Sequence, residues 1–101
     1  MSVEDAWRAL AERRDRIDGL DRRLIDLLNE RTSIVEEIGA IKRAHGLPIY
    51  EPKREDEVYH NVATHNHGPL PPEAVRRIFE RIIDEMRQLQ KLRMQEEQER
   101  K

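Results

Sequence analysis

Apolar residues recur at helical spacing through two long stretches of the chain, and the prolines separate them. Leu10, Ile17, Leu20, Leu24, Leu27, Leu28, Ile34, Val35, Ile38 and Ile41 share one broad face when each residue turns about 100°. Ser2-Val3-Glu4-Asp5 has the form of a capping box, and His45-Gly46-Leu47-Pro48 supplies a glycine-then-proline stop, so a single helix is predicted between them. Pro52 opens a second helix through Arg54, Val58 and Val62 to about Thr64, ended by Asn66-His67-Gly68-Pro69. Pro71 and Pro72 open a third, which carries Val75, Ile78, Phe79, Ile82, Ile83, Met86 and Leu89 and fades into a charged tail over residues 91–101. Only Leu47 to Tyr50 reads as extended, and strand-like alternation is absent. The expected fold is all-α: three helices, the first very long, in a single domain over residues 1–101.

The first helix, about 42 residues long, would span roughly 60 Å, more than the diameter of a compact domain of roughly 100 residues. Gly19 and Gly39 lack flanking turn chemistry, and an isolated glycine costs a helix only about 1 kcal/mol, so an unbroken rod is expected. An apolar stripe along a rod must be covered along its length, and the simplest cover is the same helix of a second copy. An intertwined homodimer with no stable folded monomer follows. Composition agrees, since 101 residues that are 40% charged and 37% hydrophobic can barely bury a core alone.

Lys+Arg 19 against Asp+Glu 21 gives a net charge of -2, which offers no overall attraction to nucleic acid or an anionic membrane. The chain has no cysteine, which excludes disulfides, thiolate catalysis and cysteine-ligated zinc. No apolar run approaches a membrane span and the first residues lack a signal-peptide pattern, so a soluble, cytoplasmic protein is expected. His45, His60, His65 and His67 form no ligand spacing, and neither metal nor cofactor is expected. Phosphate loops and nucleophile elbows are absent, and the aromatics are too scattered for a base-stacking platform.

Charges fall where a core is expected. Arg31 lies mid-face on the first helix and Lys42, eleven residues on, points the same way. A buried cation needs a carboxylate, from the protein or from a bound anion. The alternative is that both are solvated or pair with Asp21, Glu30, Glu36 or Glu37. Arg14 sits at the edge of the stripe, about 25 Å from Arg31 along the rod, and would approach it only across an antiparallel dimer. On the third helix Gln90 shares the azimuth of Phe79, Ile83 and Met86, and a buried amide wants partners. Glu51, Arg54 and Glu55 stand beside the Val58 and Val62 face, where a surface role as helix-start charges is equally open.

Arg14-x-x-Ile17-x-x-Leu20-Asp21-x-x-Leu24, Leu27-Leu28-x-x-Arg31 and Ile38-Gly39-x-x-Lys42 are followed by Pro48-Ile49-Tyr50-x-Pro52-x-Arg54-Glu55. Asn66-x-Gly68-Pro69-Leu70 and Ile78-Phe79-x-x-Ile82-Ile83, ending at Gln90, complete the series. In this order the chain resembles the all-helical class of chorismate mutases, of the monofunctional bacterial type. The resemblance implies an intertwined three-helix dimer with shared active sites, and the Claisen rearrangement of the dianion chorismate to prephenate on the route to phenylalanine and tyrosine. It implies Lys42 and Gln90 at the breaking ether oxygen, and Arg31 with Arg14 of the other subunit at the two carboxylates. Glu55, helped by Glu51, would accept the ring hydroxyl, and Arg54 would add positive potential. Glu51 stands where some relatives carry aspartate, and Met86 where some place a small residue or serine.

Three readings compete. A relative on the same fold could act on isochorismate as a pyruvate lyase or on aminodeoxychorismate as a mutase; Glu55, suited to a ring hydroxyl, argues against the lyase. A helical dimer could instead serve as a scaffold or regulatory domain without turnover, with the charged tail as its contact surface. Activation by a partner enzyme of the shikimate pathway is left open by the sequence.

Overall fold

The computed structural model describes residues 2–100, and its element order is α1 (Val3–His45), α2 (Pro52–His65) and α3 (Pro72–Glu99), with no strand among the described residues. Local chemistry sets each boundary. The Asp5 amide donates to Ser2 Oγ at 3.0 Å and the Ser2 amide to the Asp5 carboxylate at 3.4 Å, a reciprocal cap on the first amides of α1. At the other end Gly46 takes a left-handed φ of 63°, which lets the Leu47 amide reach the Lys42 carbonyl at 2.8 Å and close the helix. Gly19 and Gly39 leave α1 unbroken. Pro52 and Pro72 occupy first turns, where a missing N–H costs nothing. Between α2 and α3, Asn66 accepts from the Gly68 amide at 3.0 Å and donates to the Leu70 carbonyl at 2.9 Å, so one side chain organises the connection.

The chain divides into two compact units, Met1–Ile34 and Val35–Lys101. The first holds α1 as far as Ile34, and its apolar residues are open to solvent: Leu10, Ile17, Leu20, Leu24 and Leu27 are 42% to 58% exposed. The second holds the end of α1 with α2 and α3, and α2 packs on α3. Val75 and Ile83 of α3 are the buried hydrophobic residues there. Two buried polar side chains, Lys42 and Gln90, accompany them.

The end of α3 departs from the sequence expectation of a fading tail, since helix continues to Glu99. Arg43 Nε meets Glu97 Oε2 at 2.6 Å, and Arg93 reaches both Glu36 at 3.1 Å and Glu96 at 3.1 Å. Charges that read as solvent-facing composition therefore tie α3 to the last turns of α1, and the side-chain hydrogen bonds to Glu36 and Glu96 push the Arg93 guanidinium above its ordinary pKa.

Candidate active site

Lys42 stands in the last turns of α1, and the reversal at Gly46 wraps the following segment back over it. Its ammonium donates to the Ile49 carbonyl at 2.8 Å and pairs with Glu51 Oε2 at 3.0 Å, while the residue is only 8% exposed. The buried cation thus has a protein carboxylate, though not one of the four the sequence reading offered. The Glu51 side chain is 51% exposed and its charge remains solvated, so an incoming anion can replace it at little desolvation cost. A cleft of about 200 Å³ adjoins Lys42, with Leu47, Met94 and Gln98 among its walls.

Gln90 on α3 is equally buried, and its amide donates to the Val35 carbonyl across a long 3.4 Å. Gly39 lies beside it: a Cβ built there would meet Gln90 Cγ at an ordinary 3.6 Å and crowd only the end of the Arg43 side chain, at 3.1 Å. Gly39 and Lys42, three residues apart, are neighbours on the surface of α1. The Gln90 amide thus meets α1 at Val35 and Gly39, and Lys42 stands about one turn further along the helix. Two donors in a largely dry setting, one of them cationic, are suited to stabilising negative charge that develops on an oxygen.

Glu55 on α2 takes part in a contact the sequence reading missed. Arg87 on α3 grips its carboxylate as a fork, with Nη2 at 2.8 Å from Oε1 and 2.9 Å from Oε2, and Nε at 3.2 Å from Oε2. The Arg87 guanidinium also lies over the Tyr50 ring, 5.0 Å from its centroid. In the sequence Arg87 stands at the margin of the α3 stripe, which flags a half-buried cation, but its acid lies 32 residues away and no local spacing names it. Arg43, another cation tied to a distant acid, escaped notice for the same reason.

Arg54 is exposed and pairs with Glu57 at 3.3 Å along its own helix. Met86 is half-buried on α3, one turn before Gln90. Arg14, exposed, and Arg31, half-buried rather than buried, belong to the first unit. Below the Glu55 pair, Arg76 covers the Tyr59 ring at 4.1 Å. Burial first, then the Glu55 and Glu80 carboxylates, raise the Tyr59 phenol above its ordinary pKa, so it stays protonated. Among the described residues no group of three or more histidine or acidic side chains is gathered for a metal ion, and no helix is long and apolar enough to cross a membrane.

Comparisons with known proteins bear on this geometry. A chorismate mutase from Thermus thermophilus superposes with a TM-score of 0.81 at 35% identity, covering 82% of this chain and 94% of that one. The chorismate mutase of Methanocaldococcus jannaschii is 32% identical over 93 residues, 88% of this chain and 91% of that protein. A bifunctional chorismate mutase/prephenate dehydratase of Aquifex aeolicus is 37% identical over 86 residues, 81% of this chain, which spans only 24% of that relative's length. The family model described as chorismate mutase type II matches residues 13–91, and with these relatives it shows that the chain belongs to the type II chorismate mutase family.

Proposed function

We propose that this chain is a chorismate mutase acting in the cytoplasm as an intertwined homodimer, converting chorismate to prephenate. The rearrangement is pericyclic: the ether C–O bond breaks as a C–C bond forms, no proton moves and no covalent enzyme intermediate is made. An enzyme accelerates such a step by holding the compact conformer and by placing charge where the transition state needs it. The ether oxygen gains negative charge as its bond breaks, and Lys42 and Gln90 are the donors assigned to it. Arg31 and a second copy's Arg14 hold the two carboxylates, Glu55 with Glu51 accepts the ring hydroxyl, and Arg54 contributes positive potential from the surface.

The observation that carries this reading is the burial of Lys42 beside a buried amide, with a half-exposed acid as its resting counter-ion. A lysine kept only for stability gains little from being placed there, whereas one that meets a dianion gains its full charge in a dry setting. The uncovered apolar row of α1 supports the dimer, since Ile17, Leu20 and Leu24 each leave more than half their surface to water in a single chain. The test is direct: incubate the purified protein with chorismate, follow the loss of its absorbance and identify prephenate in the product. Survival of chorismate while isochorismate is consumed would move the assignment to the lyase, and survival of both would leave a binding domain.

A further inference from the structure

We propose that Arg87 is a positioning and specificity-determining residue that makes the Glu55 site accept a neutral, single-donor ring substituent and reject a cationic one. The inference rests on the reading above, in which Glu55 faces the ring substituent of the substrate. A carboxylate offers about four acceptor positions on its two oxygens. Arg87 directs two N–H groups at them, Nε at Oε2 and Nη2 shared between Oε1 and Oε2. The acceptor capacity that remains is small and suits the single O–H of a ring hydroxyl. The charge is matched as well, because the Arg87 guanidinium balances Glu55, while Asp84, 3.9 Å from Arg87, also faces Arg81 at 3.8 Å.

An amine at that ring position is an ammonium at neutral pH, with three donors and a full positive charge. It would find fewer acceptors than it has donors and no net negative charge, with the Arg87 guanidinium fixed in front of it. The fork holds its place because Arg87 is restrained from two further sides: its guanidinium lies 5.0 Å from the Tyr50 ring centroid, and Asp84 Oδ1 lies 3.9 Å from its Nη1. Its side chain is 28% exposed and that of Glu55 19%, so water screens the pair only in part. Lysine could supply the charge but not the planar, two-point grip.

The test compares kcat/KM for chorismate and for its analogue bearing an amine in place of the ring hydroxyl, in the wild-type protein, Arg87→Gln and Arg87→Lys. Circular dichroism and sizing select folded variants. The expected result is that Arg87→Gln raises KM for chorismate with a smaller change in kcat, and shifts the ratio of the two substrates towards the amine by about tenfold or more. Arg87→Lys, which keeps the charge, should recover much of the ratio and only part of the KM; if the glutamine variant does not fold, Arg87→Met, which also removes the charge, takes its place. A wild-type protein that turns over chorismate, with folded variants whose substrate ratio stays at the wild-type value, would overturn the inference and leave the function standing. No turnover of chorismate by the wild-type protein would overturn both.

Discussion

Replacing Lys42 with methionine separates what this residue does for the fold from what it does for chemistry. Methionine keeps most of the unbranched stem that fills the space between α1 and the returning segment, so little packing is lost. The change deletes the hydrogen bond to the Ile49 carbonyl and the ion pair with Glu51. The first is worth about 1 kcal/mol net. The second must be discounted, because the Glu51 side chain is 51% exposed and its carboxylate rehydrates once its partner is gone. The stability loss expected is therefore about 1–2 kcal/mol, well short of the roughly 3–5 kcal/mol of a severed, fully buried pair. Turnover should fall far more, by about a hundredfold to a thousandfold or beyond, the range seen when a donor aimed at a developing oxyanion is removed. Urea unfolding followed by circular dichroism measures the first quantity and the chorismate absorbance assay the second, on the same preparation. Activity within a few-fold of wild type would refute the placement of Lys42 at the reacting oxygen. A stability loss large enough to account for the lost turnover would refute the claim that its burial serves catalysis.

Other consequences follow from the same geometry. Leu24→Glu puts a charge into the uncovered row of α1 and should lower the sedimentation mass to that of a single chain with loss of helicity, whereas the unmodified protein should melt at temperatures that rise with its concentration. Gly46→Ala forces a Cβ into the left-handed region at φ 63° and should cost about 1–2 kcal/mol in urea titrations, loosening the segment that carries Ile49 and Glu51 over Lys42. The raised pKa of Tyr59 means that the folded state holds its phenolic proton more tightly than the unfolded chain does. That contribution to stability is present below about pH 10 and is lost as pH rises through the folded value, so Tyr59→Phe should flatten the alkaline limb of stability against pH.

The helices were legible in the sequence because their signals are local. A capping pair three residues apart, a glycine at the end of α1 and prolines in first turns act within about one helical turn, and the structure reproduces each of them. The tail was legible only in part. Residues 91–99 are mostly exposed, as their composition suggests, but they are helical to Glu99, and Arg93 and Glu97 pair with Glu36 and Arg43 more than fifty positions away. Candidate residues behaved in the same way. Azimuth alone singled out Lys42 and Gln90 as polar groups on apolar faces, because a helical period is enough to say which side a residue occupies.

What the sequence determined by itself, then, is the number and span of the helices, the apolar row along α1 and the presence of an ammonium and an amide where a core would otherwise be. These follow from backbone geometry and periodicity, which involve only near neighbours. Tertiary structure alone decided which acid meets which base: Glu51 rather than an acid of α1 for Lys42, and Arg87 for Glu55. The physical reason is that ion pairing between helices depends on how their axes cross, and that angle is set by the sum of many side-chain contacts that no single stretch of chain contains.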